Sequence, residues 1–113
     1  MAYRTVAQLF GDCMARNDHA TAWTLLSEPL NSAATPDAIK NAVASMTAYA
    51  CGPIREAQVM DDFSLEDWPD KPPDDLAVMY VVLNGDGFSE AVTLTLAQYG
   101  EEVLIRHLAW GRP

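Results

Sequence analysis

The chain has 113 residues, half of them apolar, and a formal charge of −9 from 16 acids against 7 Lys and Arg. That length fits a single domain over residues 1–113 with core enough to fold unstapled, and the apolar share excludes a disordered chain. The acidity repels phosphate backbones, so the expected partner is a basic protein surface and not nucleic acid, although net charge also serves plain solubility.

No stretch approaches the roughly 18 apolar residues that span a bilayer, so no membrane association is expected. Met1-Ala2-Tyr3-Arg4-Thr5 leads into an amphipathic segment and not an unbroken apolar run, which points to a cytoplasmic protein. Cys13 and Cys51 lack metal spacing and read as buried free thiols of a reducing compartment. No metal site or cofactor is expected.

In chain order, Thr5 and Gln8 have capping-box spacing and open a helix over 6–17. Its apolar face is Val6, Leu9, Phe10, Cys13 and Met14. Asn17-Asp18 breaks the pattern, and Asp18 caps a second helix over 19–27. Residues 28–32 read as a loop. Thr35, Pro36 and Asp37 form the clearest helix start in the chain, a cap followed by Pro at the first helical position and an acid at the positive end of the dipole. That third helix runs through Ile39, Val43, Met46 and Ala50 to Gly52-Pro53.

The period then changes from 3.6 to 2. Residues 54–60 predict a first strand. Residues 61–75 predict a long acidic loop with three prolines and seven of the 16 acids. Strands follow over 76–83, 88–97 and 102–110, separated by a hairpin turn at Asn84-Gly85-Asp86-Gly87 and a turn at Tyr99-Gly100. Three N-terminal helices followed by an antiparallel meander of about four strands imply an α+β fold, with the helices packed on one face of a curved sheet.

This order, together with the segment Asn17-Asp18-His19-Ala20-Thr21-Ala22-Trp23-Thr24-Leu25-Leu26, resembles the nuclear transport factor two-like superfamily. The resemblance covers nearly the whole chain and is one of pattern. It implies a cone-shaped roll with a cavity at its open end. The superfamily includes ketosteroid isomerase-like and polyketide cyclase-like enzymes, transport and assembly modules, and immunity proteins of bacterial toxin systems, so fold alone does not decide function. Isomerase-like members use a carboxylate soon after the second helix and a tyrosine on the first. Here the corresponding region, Pro29 to Ala34, has no carboxylate, and Tyr3 precedes the expected helix.

Counting from a two-residue turn at Gly85-Asp86 sets Val81 opposite Glu90 and Met79 opposite Val92. A turn at Tyr99-Gly100 sets Leu96, Leu94 and Val92 opposite Val103, Ile105 and His107. One face then collects Ala77, Met79, Val81, Leu83, Phe88, Glu90, Val92, Leu94, Leu96, Val103, Ile105, His107 and Ala109. Glu90 and His107 are the only ionisable residues on it and are diagonal neighbours, fit either for acid–base work in a pocket or for satisfying each other. A three-residue turn near Tyr99 would flip the last strand, with Arg106 and Trp110 inward in place of His107. The opposite face carries Tyr80, Val82, Leu108 and Trp110, an apolar surface suited to a homodimer.

The acidic loop offers Asp61, Asp62, Phe63, Glu66, Asp67, Trp68 and Asp70 as a docking element for a basic partner, or else as a solvated loop with its aromatics tucked back. Its spacing is not that of a calcium loop. His19 reads as a surface residue at a helix start. The leading expectation is a non-enzymatic binding module, in concrete form an acidic immunity-type protein that neutralises a basic toxin domain. The alternatives are a small-molecule-binding or isomerase/cyclase-like pocket protein using Glu90 and His107, and a homodimeric assembly domain without ligand.

Overall fold

The computed structural model describes residues 2–28, 30–50 and 52–111. The expectation for Cys51 therefore lies outside the described residues. The elements are α1 (Ala2–Ala15), α2 (His19–Thr24), α3 (Leu30–Ala33), α4 (Pro36–Met46), β1 (Ile54–Leu65), β2 (Asp75–Gly85), β3 (Phe88–Tyr99) and β4 (Glu102–Trp110). The strands form one antiparallel sheet in the order β1-β2-β3-β4, so the fold class is α+β.

Helix α1 starts earlier than the Thr5–Gln8 spacing suggests, which puts Thr5 inside it. Gln8 is no capping residue. Its amide donates to the Ala57 carbonyl at 2.9 Å and its oxygen accepts from the Val59 N–H at 3.4 Å, so it serves the free edge of β1. The buried stripe of α1 is Ala7, Phe10, Cys13 and Met14, while Leu9 turns outward at 37 % exposure. Gly11 permits this rotation. A Cβ there would stand 2.6 Å from the Ala57 Cβ and 2.9 Å from Val81 Cγ1, so the missing side chain lets the helix lie against the sheet.

The end of α1 is a Schellman motif. The Asn17 and Asp18 N–H groups donate to the Met14 and Cys13 carbonyls, and Asn17 takes the left-handed conformation with φ 58°. Asp18 then caps α2 by accepting from the Thr21 N–H, as its position predicts. Helix α2 stops at Thr24, short of Ser27, because the chain from Leu25 to Ser27 pairs with β4 instead. The Ile105 N–H donates to the Leu25 carbonyl and the Ser27 N–H to the Ile105 carbonyl, each at 2.8 Å. Residues 30–32, expected in a loop, belong to the single turn of helix α3. The Asn31 N–H donates to the Ser27 carbonyl, and the Trp23 indole N–H to the Asn31 carbonyl. Helix α4 has the predicted Thr35 cap and Pro36 start but ends at Met46, where Thr47 turns its hydroxyl back to the Val43 carbonyl.

Strand β1 continues to Leu65, five residues past Met60, since the prolines that stop it come only at 69, 72 and 73. At the other end of the expected loop, Asp75 already belongs to β2. Both hairpin turns sit one residue later than counted, at Asp86-Gly87 and Gly100-Glu101, where Gly87 and Gly100 supply the positive φ. Val81 therefore faces Val92, Met79 faces Leu94, and Leu83 faces Glu90. The shift is two residues in register, so the two faces keep their expected members as far as Leu96 and Ile105.

Beyond Ile105 the faces exchange. Leu96 pairs with Ile105 but Thr95 pairs with His107, which leaves Arg106 as the extra residue of a β-bulge. Leu108 and Trp110 now stand opposite the core residues Leu94 and Val92 and pack against the core, with the Trp110 ring 6.0 Å from that of Phe10. His107 and Ala109 are exposed opposite Thr95 and Thr93. Arg106 is pinned by two hydrogen bonds, 2.7 and 2.6 Å, to the carboxylate of Asp75, whose side chain is 1 % exposed.

Arg106→Ala should thus lower stability by about 2 kcal/mol, less than a fully buried pair would cost because the arginine is partly solvated. It should also raise the solvent exposure of Trp110 as the bulge relaxes. Urea titration followed by tryptophan emission measures both. A change below about 0.5 kcal/mol, the range of an ordinary surface substitution, would show that the bulge does not depend on Asp75.

Candidate functional site

Glu90 and His107, expected to share a pocket, lie on opposite faces of the sheet. Glu90 is 8 % exposed on the inner face. One of its oxygens accepts from the Tyr49 hydroxyl at 2.8 Å, and the Tyr49 ring meets Phe88 edge-on at 6.1 Å. His107 faces the other way because of the bulge at Arg106. The buried carboxylate thus has a phenol and not an imidazole beside it, and the proposed acid–base pair does not exist. The expected dimer face divides for the same reason. Tyr80 and Val82 remain half-buried on the outer face, while Leu108 and Trp110 belong to the core side.

The acidic segment is part strand and part loop. Asp61, Asp62 and Phe63 lie on β1; Glu66, Asp67, Trp68 and Asp70 follow in the loop. Two of these acids are tied to α1. Arg4 forks onto Asp61 at 3.0 and 3.3 Å, which raises the arginine's pKa, and the Tyr3 hydroxyl donates to Glu66, which raises the tyrosine's. Lys71 donates to the Glu66 carbonyl and stands 5.6 Å above the half-buried Trp68 ring. Asp67 accepts from the Trp68 N–H, and Asp70 takes a left-handed φ of 60°. The loop is therefore shaped by its own contacts. Phe63 and Leu65 stay 65 % and 52 % exposed among these acids, with Phe63 held at one edge by the Tyr80 ring 5.7 Å away.

A third region was not singled out from sequence. A cleft of about 480 Å³ opens where the α1–α2 junction, α4 and the start of β1 meet. Its polar lining is Asn17, His19, Lys40 and Thr47; Val43, Pro53 and Ile54 supply apolar wall. Lys40, Val43 and Thr47 share one side of the cleft through their i, i+3, i+7 spacing on and just past α4. Asn17 arrives there through its helix-ending conformation and His19 as the first residue of α2. The recognisable signals were the Thr35-Pro36 start, which sets the phase of α4, and the Asn17-Asp18 break. Each of these signals specifies a helix boundary and carries no mark of a cleft.

Cys13 is buried, and desolvation pushes its thiol pKa up against the weaker opposing pull of Arg16, whose guanidinium lies 3.8 Å from the sulfur. A nucleophilic role for it has no support in this setting. Among the described residues no group of three or more His, Cys, Asp and Glu could hold a metal, and no helix is long and apolar enough to cross a membrane.

Tyr49→Phe should cost about 1 kcal/mol or more, the worth of a hydrogen bond to a charged, largely buried acceptor, while His107→Ala stays within about 0.5 kcal/mol. Thermal melts of the two variants provide the comparison. The reverse order would restore the imidazole as the partner of Glu90.

No protein-family model matches the chain, and no curated protein or solved structure is significantly similar to it, so the functional reading rests on the side chains themselves.

Proposed function

We propose that the protein is a non-enzymatic binding module that docks a basic protein surface through the far end of β1 and the loop after it. The observation that carries this reading is the exposure of Phe63 and Leu65 at 65 % and 52 % within an acidic segment. Acids alone on an edge strand serve to keep other strands away. Large apolar side chains left in water beside them do not serve that end, and they are the usual anchors of a protein interface. Asp62, Asp67, Asp70 and Asp74, exposed in the same segment, supply charge that would steer a basic partner and fix its orientation.

Two features of the sheet support this choice of surface. The outer edge of β4 is occupied at Ile105 by Leu25–Ser27, and the near part of the β1 edge is satisfied at Ala57 and Val59 by Gln8. The segment is also held in place, by Tyr3 of α1 at Glu66, by Arg4 of α1 at Asp61 and by Lys71 within the loop itself, so less order has to be created on binding. The most concrete form of the reading is an immunity-type protein that neutralises a basic toxin domain. The acidity and the resemblance to nuclear transport factor two-like proteins support that form. A catalytic reading through Glu90 and His107 is withdrawn, since the two do not meet.

The test begins with basic proteins retained by the immobilised chain at low salt and identified by mass spectrometry. Calorimetry with a purified partner should give an affinity that falls steeply with salt. Phe63→Ala should weaken it about thirtyfold, the effect of losing a 2 kcal/mol anchor, and joint replacement of Asp62, Asp67 and Asp70 by Ser should slow association. Retention of no basic protein, or an affinity indifferent to both changes, would defeat the proposal.

A further inference from the structure

We infer that the cleft between α4, the α1–α2 junction and the start of β1 is a binding site for a small organic anion, a carboxylate on a short apolar body. This site is separate from the acidic segment and does not depend on the docking proposed there.

The chemistry of the lining carries the inference. In a chain of net charge −9, two of the polar residues that line the cleft, His19 and Lys40, are basic, and among the described residues no carboxylate lines it. The other cations are engaged elsewhere. Arg4, Arg55 and Arg106 are paired with Asp61, Asp86 and Asp75; Lys71 stands over Trp68 and donates to Glu66; Arg16 contacts the Cys13 sulfur. Among the described residues Lys40 is the one Lys or Arg whose side chain has neither an ion pair nor a hydrogen bond within the protein. The nearest acid in sequence to His19 is Asp18, and it is committed. It accepts from Thr21, and the hydrogen bonds hold its carboxyl below the usual carboxylate range. Asp18 lies close enough to His19 to interact with it electrostatically, so the positive character of the cleft rests on Lys40.

The rest of the wall selects the shape of the anion. Val43, Pro53 and Ile54 offer apolar surface, which inorganic phosphate would leave unused. Asn17 can donate a side-chain N–H to a carboxylate oxygen. The Thr47 hydroxyl is already donated to the Val43 carbonyl, and it leaves that end of the cleft without a free donor for charge. The head of the ligand accordingly belongs between Lys40, His19 and Asn17, and its body runs along Val43 towards Ile54. A volume of about 480 Å³ is within the ordinary range for small-molecule clefts.

The experiment is an amide NMR titration of the whole chain with three probes: hexanoate, 1-hexanol and inorganic phosphate. Hexanoate should saturate, with the largest shifts at residues 17–19, 40–47 and 53–54. Hexanol and phosphate should each bind about tenfold or more weakly, since each lacks one half of the recognition. Lys40→Gln, a change at an exposed position, should weaken hexanoate by about tenfold with an otherwise unchanged spectrum. Four results overturn the inference: a non-saturating or differently placed hexanoate response, hexanol as tight as hexanoate (an apolar cleft only), phosphate as tight as hexanoate (a bare cationic patch), or indifference to Lys40→Gln.

Discussion

The contact between Arg106 and Asp75 decides what the last strand contributes to the molecule. A carboxylate that is 1 % exposed needs a partner, and the guanidinium supplies two short hydrogen bonds from a strand not adjacent to β2 in the sheet. Arg106 can reach it as the extra residue of the bulge between Ile105 and His107. Every side chain after that point then changes face. Trp110 joins Phe10 under α1, Leu108 joins Leu94, and His107 goes to water. The helix layer and the C-terminal end of the sheet are packed together by a residue that is itself half in solvent.

The same bulge adjoins the place where β4 takes up the chain leaving α2. Leu25 and Ser27 bond both backbone groups of Ile105, so the regular edge of β4 is interrupted on one side by a bridge and at the next residue by the bulge. At the opposite edge, Gln8 does comparable work for Ala57 and Val59 from α1. Both edges are thus managed by side chains or short segments of the helix layer, a common defence against unwanted strand pairing. Farther along β1 a side chain of α1 again reaches the strand, Arg4 at Asp61, with Asp62 and Phe63 exposed beside it.

The elements that could be read from the sequence are those whose signals are local. Asp18 and Thr35 cap helices because their side chains reach an N–H three residues on, and no distant partner is needed. The inner face of β2 and β3 was legible even though both turns were misplaced. A slip of two residues preserves side-chain parity, whereas a slip of one would have inverted it. What could not be read depends on residues far apart in the chain. Gln8 looks like part of a capping box until the edge of β1 claims it, 49 and 51 residues away. Arg106 looks like one more alternating residue until Asp75, 31 residues earlier, draws it out of register. That single interaction removed His107 from the candidate pocket and divided the expected dimer face. The cleft was missed for a different reason: Asn17, His19 and Lys40 are unremarkable surface residues one by one, and only the packing of α2 beside α4 assembles them.

The opposed charges of the two proposed surfaces follow from their placement on one strand. Pro53 and Ile54 stand at the start of β1, opposite Gly85, and Phe63 lies beside Tyr80 where the register of β1 is interrupted, a separation of roughly 20 Å at the rise of an extended strand. That is about half the length of a molecule whose longest dimension is 42 Å. Charges in physiological salt are screened beyond about 8 Å, so the acids of the 61–74 segment do little to the field at Lys40. The net charge of −9 is therefore a sum over separated regions and describes neither surface. A basic partner arriving at the acidic end would feel the aspartates, and a small anion at the other end would feel Lys40. Occupation of one surface has no electrostatic reason to oppose occupation of the other. Any coupling between them would have to pass through the packing of α1, the one helix that reaches Asp61 at its first turn and Asn17 at its last.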